Sequence, residues 1–485
     1  MHKLSKNSSV TLVELPPTLF GILNGDTSFD IYSQARMPAR AIHVLEGILR
    51  NAGWKNTISL NPIYNKKKGK LTSGDFKRIF NSDFLLISSI TRTSPQSQEL
   101  ARLYRLKNPE GIIIAGGPDP TFRIEDWLNF VDIVVRGEGE KTIIELMDQL
   151  IKNPKNLKNI KGIAYKENNK IIITSPQELL TSEELSKLPH PYYNDFIKDK
   201  ISAGVIETSR GCPNNCDFCT VTKVYGRQYR SKSIDYILQE LKRTKKMGTA
   251  LFFSDDNFIA IPSKSLALLE EMAKDNLNKR YSGAQTTIRI ADNPKLMKAL
   301  KKANIKALCI GVESINDETL KSLGKPYTAD QNRKAIKIIK EAGFWVHGMM
   351  MLGGDGDAPE TLNETLKWAK ENLDSVQFFS PIPIPGTPFA ERMEKEKRIL
   401  TKTWYLYDGN HVIIKPKHFT PYQLQKTLYG MYEDFYSIKN SLKRLISSKS
   451  KKLALSIFFY SQFKGRKMIH NPQSDHHLEF LKSVS

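Results

Sequence analysis

Three of the four cysteines in the chain, Cys212, Cys216 and Cys219, stand within eight positions in the segment RGCPNNCDFCT. Three thiolates suit soft metals, and a loop rich in glycine, proline and asparagine can fold around an inorganic cluster. A structural zinc site would require a fourth ligand, and no further cysteine or histidine lies nearby in the sequence. Three ligands on a four-iron cluster leave one iron open to a small molecule. Zinc or chance clustering remains the alternative interpretation.

The elements that must position this loop begin at Ile201. Short apolar runs alternate there with amphipathic helical segments, and no GxGxxG nucleotide motif accompanies them. Six strand and helix pairs predict a partial (β/α)6, TIM-like barrel over residues 201–390, with functional residues on the loops after the strands. The predicted strands are VIETSRG, ALFFSDDNF, YSGAQTTIRI, KALCIGVES, VHGMMMLGG and SVQFFSPI.

Residues 1–150 show a second alternation of β-branched runs and helical stretches, which predicts a Rossmann-like, doubly wound parallel sheet. Such sheets bind ligands at the carboxyl edge of their strands. Residues 151–200 are predicted to be a linker that contains a hairpin, and residues 391–485 a helical, basic C-terminal region. The strand ends of the front domain carry Ser88, Ser89, Gly116, Gly117, Gly137 and Gly139.

The spacing C-x3-C-x-aromatic-C, with Phe218 as the aromatic residue, after the first strand of a partial barrel resembles the signature of radical S-adenosylmethionine (SAM) enzymes. The resemblance implies a 4Fe-4S cluster on Cys212, Cys216 and Cys219, with Phe218 beside the cofactor. In that family the amine and carboxylate of SAM chelate the unique iron. Reductive cleavage of SAM then yields a 5'-deoxyadenosyl radical.

The resemblance extends to the ends of later strands. In SDDNF, Asp255, Asp256 and Asn257 occupy the place where the family binds the methionine amine, although the usual motif is Gly-Gly-Glu. In IGVES, Glu313 matches the position that contacts the ribose or the amine. Each residue has an alternative interpretation as an ordinary residue of a buried strand.

Three further positions are implied by the same resemblance. Thr286 and Arg289, in TTIRI, are candidates to contact the substrate or the methionine carboxylate, for which a guanidinium fork is well suited. Gly348 falls where the backbone contacts adenine in the family. Cys309, in a strand pattern between Leu308 and Ile310, is predicted to be a small buried residue.

The front domain resembles the cobalamin-binding domain of one group of radical SAM enzymes, through the order and spacing of DFLLISSITRTSPQSQELARLY, IIIAGGPDPTF and VDIVVRGEGEKTIIEL. The resemblance implies that Ser88, Ser89 and Thr91 contact the corrin amides. It also implies that the Gly116 and Gly117 turn lets the backbone approach the nucleotide tail. Ordinary loop glycines are the alternative.

The D-x-H-x-x-G motif that supplies a histidine to cobalt is missing from the sequence of this domain, whose only histidines are His2 and His43. Asp475, His476 and His477 near the C-terminus lack the glycine and lie outside the domain. We therefore expect any bound cobalamin to have no histidine ligand from the protein. A domain that retains the fold without a corrinoid remains open.

The formal net charge is +22, from 73 basic and 51 acidic residues. This charge permits nucleic acid, anionic lipid or acidic substrates as partners. The base composition of the genome would explain the same excess of basic residues equally well. Between Tyr436 and Ser474 there are nine Lys or Arg and no acid, around the apolar run LALSIFFYSQF. This pattern fits a helix on an anionic membrane, or a helix packed on the barrel with solvated lysines. No nucleic-acid-binding module is recognised, so no specific nucleic acid is expected.

Few cysteines and no long apolar segment predict a cytoplasmic protein, with peripheral contact at the inner face of the membrane as an option. The hypothesis is a cobalamin-dependent radical SAM enzyme in which the radical activates an unactivated carbon of a lipid or natural product and methylcobalamin delivers the methyl group. A flavodoxin or ferredoxin would supply electrons. The alternatives are oxidative cyclisation, ring contraction or carbon-carbon coupling without methyl transfer, and a non-enzymatic corrinoid- or metal-binding protein.

Overall fold

Two sheets built mainly of parallel strands organise the chain, one in the front half and one in the central part. The computed structural model describes residues 4–16, 37–65, 70–278, 280–448, 450–462 and 472–485. The front sheet has seven strands in the order β2-β1-β3-β4-β5-β6-β7. Its strands are β1 Val10–Glu14, β2 Thr57–Leu60, β3 Phe84–Ser88, β4 Ile112–Gly116, β5 Ile133–Val135, β6 Ile163–Glu167 and β7 Lys170–Ile173.

Strands β1 to β5 pair in parallel, which confirms the predicted doubly wound, Rossmann-like architecture. The predicted hairpin, β6 and β7, pairs antiparallel with β5 and extends the same sheet. Apolar side chains on the two faces of the sheet form separate cores, around Trp54 on one side and Trp127 on the other. The helices that cover the faces are α1 Arg40–Asn51, α2 Ser73–Phe80, α3 Ser94–Lys107, α4 Pro118–Phe122, α5 Ile124–Trp127 and α6 Glu140–Lys152.

The segment between the two sheets packs closely on helix α1. The backbone N–H of Tyr192 donates to the carbonyl of His43 at 2.9 Å. Gly47 has no room for a side chain, because a Cβ there would lie 2.5 Å from the carbonyl oxygen of His190. Two short helices, α7 Ser182–Lys187 and α8 Asp195–Lys198, complete this segment.

The second large sheet has six strands, all parallel, in the order β15-β14-β13-β12-β11-β8. This open, curved series of strand and helix pairs confirms the predicted partial barrel. Its strands are β8 Ala203–Ile206, β11 Ala250–Phe253, β12 Tyr281–Thr286, β13 Ile305–Glu313, β14 Trp345–Met351 and β15 Ser375–Phe379, and a two-stranded ribbon, β9 Ser209–Arg210 and β10 Arg230–Ser231, follows β8.

Alternation along β13 separates the two faces of the barrel wall. Leu308, Ile310 and Val312 are buried in the core beneath the helices, whereas the half-buried Cys309 points the other way, in register with Gln285 and His347 of neighbouring strands. Burial raises the pKa of the Cys309 thiol to about 12. The covering helices are α9 Val221–Val224, α10 Ile234–Arg243, α11 Pro262–Lys274, α12 Pro294–Lys302, α13 Asp317–Ser322, α14 Ala329–Glu341 and α15 Pro359–Asn372.

The C-terminal region contributes to the core of the barrel. In helix α17, the hydroxyl of Tyr432 donates to the carbonyl of Phe378 in β15 at 2.6 Å, and the rings of Phe378 and Phe435 meet edge to face. Leu481 of the last helix belongs to the same core. The helices are α16 Pro388–Lys395, α17 Pro421–Phe435, α18 Ile438–Ser447, α19 Lys451–Tyr460 and α20 Pro472–Ser483.

A buried histidine docks the last helix. Nε2 of His477 lies 3.1 Å from the carbonyl oxygen of Val412, which can only accept, so this nitrogen carries the proton. The ring of His411 stands edge-on to His477 at 4.9 Å, and Nδ1 of His411 lies 3.0 Å from Asp408 Oδ1. Burial, with the neighbouring His411 adding to it, lowers the pKa of His477 to about 3. The helix is therefore docked through a neutral imidazole.

Acidification should weaken this docking. The unfolded chain binds a proton at His477 near pH 6.5, whereas the folded chain binds it only near pH 3. The contribution of His477 to the free energy of unfolding is therefore complete above pH 6.5 and decreases as the pH falls towards 3. At pH 5 the loss is about 2 kcal/mol. We expect His477→Gln to lose less stability than the parent protein between pH 7.5 and pH 5 in urea unfolding. The exposed neighbour His476 is the matched control, since His476→Gln should leave the pH dependence unchanged.

Candidate functional site

A cleft lies where the carboxyl edge of the front sheet faces the start of the barrel. About 200 Å³ of it accommodates water-sized molecules, and its mouth is open to solvent. The barrel contributes Glu207, Arg210 and Tyr225. The front domain contributes mainly apolar and small residues: Leu12, Arg40, Ala41, Ile42, Val44, Leu45, Leu86, Ile87, Ser88, Ile114, Gly116, Gly117, Pro118, Val135, Gly137, Glu138, Gly139, Glu140 and Ile143.

Of the residues predicted to contact cobalamin, Ser88, Gly116 and Gly117 line this cleft. Gly117 has φ of 101°, and a Cβ there would lie 2.7 Å from the carbonyl oxygen of Ser89, so only glycine fits. Gly116 differs, because the nearest atom to an added Cβ is 3.6 Å away. At these two glycines the backbone borders the cleft with no side chain in between.

The other two predicted hydroxyls lie elsewhere. Oγ of the buried Ser89 is 3.2 Å from Thr93 Oγ1, which satisfies it locally. Thr91 belongs to a buried turn, Thr91–Thr93, that packs against the segment Trp404–Leu406. Neither residue is among those that line the cleft. The structure thus brings three of the five predicted residues together.

Histidine is not among the described residues that line the cleft. His43 is carried by helix α1 but points away from the cleft, with Nε2 3.2 Å from the hydroxyl of Tyr64 and its ring 4.6 Å from that of Tyr193. Burial lowers the pKa of His43 to about 3. His2 lies outside the described residues. A corrinoid in this cleft would meet glycine backbone and aliphatic side chains, and that surface fits the apolar faces of its ring.

A buried ion network closes the inner end of the cleft and joins the two domains. Arg210, on the ribbon strand after β8, contacts Glu138 at 3.1 Å, Glu140 at 2.6 Å and Glu207 at 3.0 Å. Glu138 and Glu140 stand on the front domain directly after β5, in the sequence RGEGE. Arg230 also contacts Glu138, at 2.9 Å. Buried charges require such complete pairing, because removing either partner leaves an uncompensated ion.

The network continues along the barrel entrance. Glu207 accepts from Lys232 at 2.7 Å, and Arg40 contacts Glu207 at 3.7 Å and Glu240 at 2.5 Å. Burial would raise the pKa of Glu207, but the cations around it, Arg210 first, hold that pKa well below its usual range. Sequence reasoning missed this network. The one available signal was the pair of acids in RGEGE at the edge of the sheet.

The cysteine loop follows Arg210 directly. Cys212, Cys216 and Cys219 are half-buried and free, and burial raises the pKa of each thiol, that of Cys219 to about 12. The thiols thus stay protonated at neutral pH until a metal displaces the protons. Among the described residues, no three His, Cys, Asp or Glu side chains lie close enough together to bind a single metal ion. Each thiolate of an iron-sulfur cube binds a different iron, so this donor set fits such a cluster.

Asp217 fixes the cysteine loop from within. Its backbone N–H donates to Leu323 at 3.2 Å, its carbonyl accepts from Phe389 at 3.0 Å, and its carboxylate lies 3.5 Å from Arg392. Gly324 has φ of 67°, and a Cβ there would lie 2.8 Å from Asp217 Oδ1. The loop is therefore positioned by contacts from two distant segments, and sequence reasoning did not find this residue.

Phe218 anchors the other side of the loop. Its ring packs against the apolar cluster formed by Phe389, Met393 and Ile414. Nζ of Lys325 lies 5.8 Å from the ring centroid, within the range of a cation-π contact. The predicted aromatic position thus attaches the loop to the C-terminal region.

Glu313 stands in a strained position beside the cysteine loop. Its φ is 60°, unusual for a side chain other than glycine, and the strand register shifts between Gly311 and Glu313. Oε1 accepts from Lys325 at 3.0 Å, whereas the buried Oε2 has no hydrogen-bond partner among the described residues. Strain and an unsatisfied buried oxygen together mark a candidate ligand-binding carboxylate.

Lys325 was not found by sequence reasoning. Burial would lower its pKa, but Glu313, and Cys216 when it is ionised, raise that pKa above its ordinary value, so the ammonium is retained. Gly311 makes room for this pair, because a Cβ there would lie 2.5 Å from Glu313 Oε1. The result is a fixed positive charge next to the thiols, which favours their ionised form.

The three polar residues after β11 have different surroundings. Asp255 is buried and accepts from the backbone N–H of Thr208 at 3.1 Å and from its hydroxyl at 2.6 Å, so it holds the end of β8. Burial, together with Asp255 and Glu207, raises the pKa of Asp256 to about 7. The Oδ1 atom of Asn257 is buried without a partner among the described residues. Asp256 and Asn257 retain capacity for a ligand.

The remaining predicted positions are dispersed. Thr286 is buried, and its hydroxyl is 3.4 Å from the carbonyl oxygen of Thr287. Arg289 is exposed, with its guanidinium carbon 6.0 Å from the ring of Tyr327. At Gly348 a Cβ would lie 2.5 Å from Leu373, so packing explains this glycine.

Comparison with known proteins agrees with this geometry. A profile of the Radical SAM superfamily matches residues 206–369, and a profile of the B12 binding domain matches residues 31–147. An uncharacterized methyltransferase of Pyrococcus horikoshii is 31% identical over 380 residues, which cover 76% of this chain and 82% of the relative. The chain belongs to the radical SAM superfamily and carries a B12-binding domain. Both predicted cofactor domains are thereby confirmed.

Two further relatives extend the comparison. The hopanoid C-3 methylase of Methylococcus capsulatus is 26% identical over 365 residues, which cover 72% of this chain and 69% of that protein. The solved structure of the cobalamin-dependent radical SAM enzyme OxsB, with aqua-cobalamin bound, superposes with a TM-score of 0.70. It is 17% identical and covers 95% of this chain and 71% of its own, and thus shares the fold.

Removing Arg210 should destabilise the joint between the domains. We expect Arg210→Met to lower the free energy of unfolding by about 3 to 5 kcal/mol, because the buried Glu140 would lose its ion partner and the buried Glu138 would keep only Arg230. Lys187→Met is the matched control, since it removes an exposed ion pair with Glu183 and should cost less than about 1 kcal/mol. Urea unfolding followed by tryptophan fluorescence measures both. Equal losses in the two variants would contradict the assigned role of the network.

Proposed function

We propose that this protein is a cobalamin-dependent radical SAM C-methyltransferase that methylates an unactivated carbon of a lipid or other natural product. The observation that carries the proposal is the position of Arg210. This residue lines the cleft of the B12-binding domain and stands two positions before Cys212. The cleft for a corrinoid and the loop for a cluster are thus adjacent, as a reaction that uses both groups requires.

In the proposal, Cys212, Cys216 and Cys219 hold a 4Fe-4S cluster, and Ser88, Gly116 and Gly117 border the cobalamin. When bound, the cluster supplies the electron that cleaves SAM and the cobalamin supplies the methyl group. A flavodoxin or ferredoxin is the proposed electron donor. The chain itself binds and orients the cofactors and the substrate, and it excludes water from them.

Several side chains are suited to bind SAM. Glu313 Oε2 and Asn257 Oδ1, which have no hydrogen-bond partner in the described part of the chain, are acceptors for its amine or ribose hydroxyls. Asp256, with a pKa of about 7, would release its proton when an ammonium group binds beside it. Asp255 acts indirectly in this proposal, because it holds Thr208 and so orients the strand before the cysteines. Thr286, Arg289 and the backbone at Gly348 remain proposed contacts for SAM or substrate.

A lipid or natural-product substrate is supported by the name of the hopanoid methylase among the relatives. The second candidate function is an oxidative cyclisation without net methyl transfer. It is favoured by a relative in Cereibacter sphaeroides, the anaerobic magnesium-protoporphyrin IX monomethyl ester cyclase, which is 23% identical over 83% of this chain. The two reactions differ in their products. Methyl transfer yields S-adenosylhomocysteine together with 5'-deoxyadenosine, whereas the cyclisation yields only the latter.

Anaerobic reconstitution with iron and sulfide tests the cluster. We expect about four irons per chain and the broad visible absorption of an iron-sulfur cube. Replacing any one of Cys212, Cys216 and Cys219 by alanine should remove the absorption and 5'-deoxyadenosine formation. Cys309→Ala is the matched control and should retain both, because Cys309 lies within strand β13 and is not part of the C-x3-C-x2-C loop. One tightly bound zinc in place of the irons would contradict the proposal.

Gly116 allows a specific test of the cobalamin cleft. Its surroundings have room for a side chain, so Gly116→Val should fold but occupy the cleft. We expect the parent chain to retain cobalamin after gel filtration and Gly116→Val to lose at least 90% of it, with iron content unchanged. Gly430→Val is the control, because a Cβ at Gly430 meets no atom within 4 Å and lies outside the cleft. Cobalamin retention by Gly116→Val at the parent level would show that the ligand binds elsewhere.

A further inference from the structure

Two neighbouring C-terminal helices, α18 and α19, each carry exposed apolar side chains. On α18, Ile438, Leu442 and Ile446 follow one another at intervals of four residues, with exposed fractions of 51%, 42% and 76%. On α19, Leu455 and Phe459 repeat the interval, at 44% and 51%. Residues four apart lie on the same side of a helix. A contiguous exposed patch of this kind marks an interaction site more often than a chance surface.

The charge carried by the stretch that contains the two helices has one sign. Lys439, Lys443 and Lys451 are exposed beside the apolar residues. The sequence from Tyr436 to Ser474 contains nine basic residues and no acid. Lys449 and Phe463, which belong to the same stretch, lie outside the described residues. The patch is therefore apolar at its centre and cationic at its border.

The helices are held rigidly on the protein. Arg444 turns inward from α18, with its guanidinium carbon 4.0 Å from the ring of Phe435 and one nitrogen donating to the carbonyl of Phe435 at 2.6 Å. Gln462 donates to the carbonyl of Tyr436 at 2.7 Å. One face of the helix pair thus packs against the protein, and the exposed apolar side chains point towards solvent.

The patch lies far from the cysteine loop along the barrel axis. The hydroxyl of Tyr436 donates to the carbonyl of Val376, near the start of β15, at 2.7 Å. Ser450 lies close to Tyr281, the first residue of β12. These contacts place α18 and α19 at the amino-terminal ends of the strands, whereas the cysteine loop follows the carboxyl end of β8. A partner on this face would not obstruct the cleft or the loop.

We propose that α18 and α19 form a surface that binds the interface of an anionic phospholipid bilayer. The apolar side chains would enter the boundary between headgroups and acyl chains, while the lysines contact the phosphates, and the two terms together give stable peripheral attachment. Among the helices that the structure describes, none has the length and hydropathy to span a membrane. The proposed attachment is therefore interfacial.

Charge favours this occupant over a second copy of the chain. A symmetric dimer through the patch would place the same surface on both partners, so Lys439, Lys443 and Lys451 would face their own counterparts. Like charges in an interface oppose association. An anionic bilayer presents the complementary sign. The proposal is independent of the function proposed above, because it uses no residue of the cleft or the cysteine loop.

Vesicle sedimentation with the full chain tests the proposal. The probes are vesicles of phosphatidylcholine alone and of phosphatidylcholine with 30% phosphatidylglycerol, at 0.1 M and 0.5 M NaCl. We expect binding to the anionic vesicles at low salt, at least tenfold weaker binding to the neutral ones, and a marked loss of binding at high salt, where surface charges are screened.

Two variants separate the apolar and the charged contributions. Leu442→Ser with Ile446→Ser should weaken binding at least tenfold at either salt concentration. Lys439→Glu with Lys443→Glu should weaken it more than 25-fold, since each lysine near the surface contributes about 1 kcal/mol, or roughly fivefold. Leu106→Ser is the apolar control, because Leu106 is 64% exposed in the front domain, and Lys337→Glu is the charge control on helix α14. Both controls should bind as the parent does.

Formation of 5'-deoxyadenosine in detergent-free solution should be unchanged in all these variants, which separates this test from that of the catalytic proposal. Equal binding to neutral and anionic vesicles, or full binding by both patch variants, would overturn the membrane assignment. Concentration-dependent dimerisation in analytical ultracentrifugation that Leu442→Ser with Ile446→Ser abolishes would also overturn it, in favour of a second copy.

Discussion

The structure depends on one buried cation, Arg210, that three carboxylates from two domains surround. A guanidinium without these partners would not be tolerated at such a depth, and Glu140 of the front domain would in turn be a buried charge without its ion partner. Docking of the two domains and placement of Arg210 are therefore mutually dependent. Because Cys212 follows two residues later, the same contact sets the starting direction of the cysteine loop relative to the B12-binding domain.

The rest of the loop is restrained in a way that suits a preformed cofactor site. Asp217 connects it to the segment at Gly324 and to helix α16, and Phe218 packs into an apolar cluster. Beside it, Glu313 keeps a left-handed backbone and one unsatisfied oxygen. Such strain persists only where surrounding contacts determine the conformation, as β13 and Lys325 do here. Contacts within the barrel thus stabilise the strained conformation of Glu313.

The sequence was sufficient for features that are local. Strand and helix alternation predicted both sheets, and the cysteine spacing predicted the loop, because periodicity and spacing are properties of neighbouring residues. It was insufficient where function depends on residues far apart. Asp255 and Asp256 are adjacent in sequence, yet only the fold shows that one clamps Thr208 while the other keeps capacity for a ligand. Lys325 gave no local signal at all.

The basic tail illustrates the same limit in a different form. For the stretch from Tyr436 to Ser474, the sequence left two alternatives open: a helix packed on the barrel, or a helix that faces a membrane. In the structure, helix α18 of this tail turns Arg444 inward onto the ring of Phe435, while its Leu442 and Ile446 remain exposed. Because α17 already covers the end of the sheet, the outward side chains of α18 are not needed for folding. Their exposed apolar character supports the proposed contact with a bilayer.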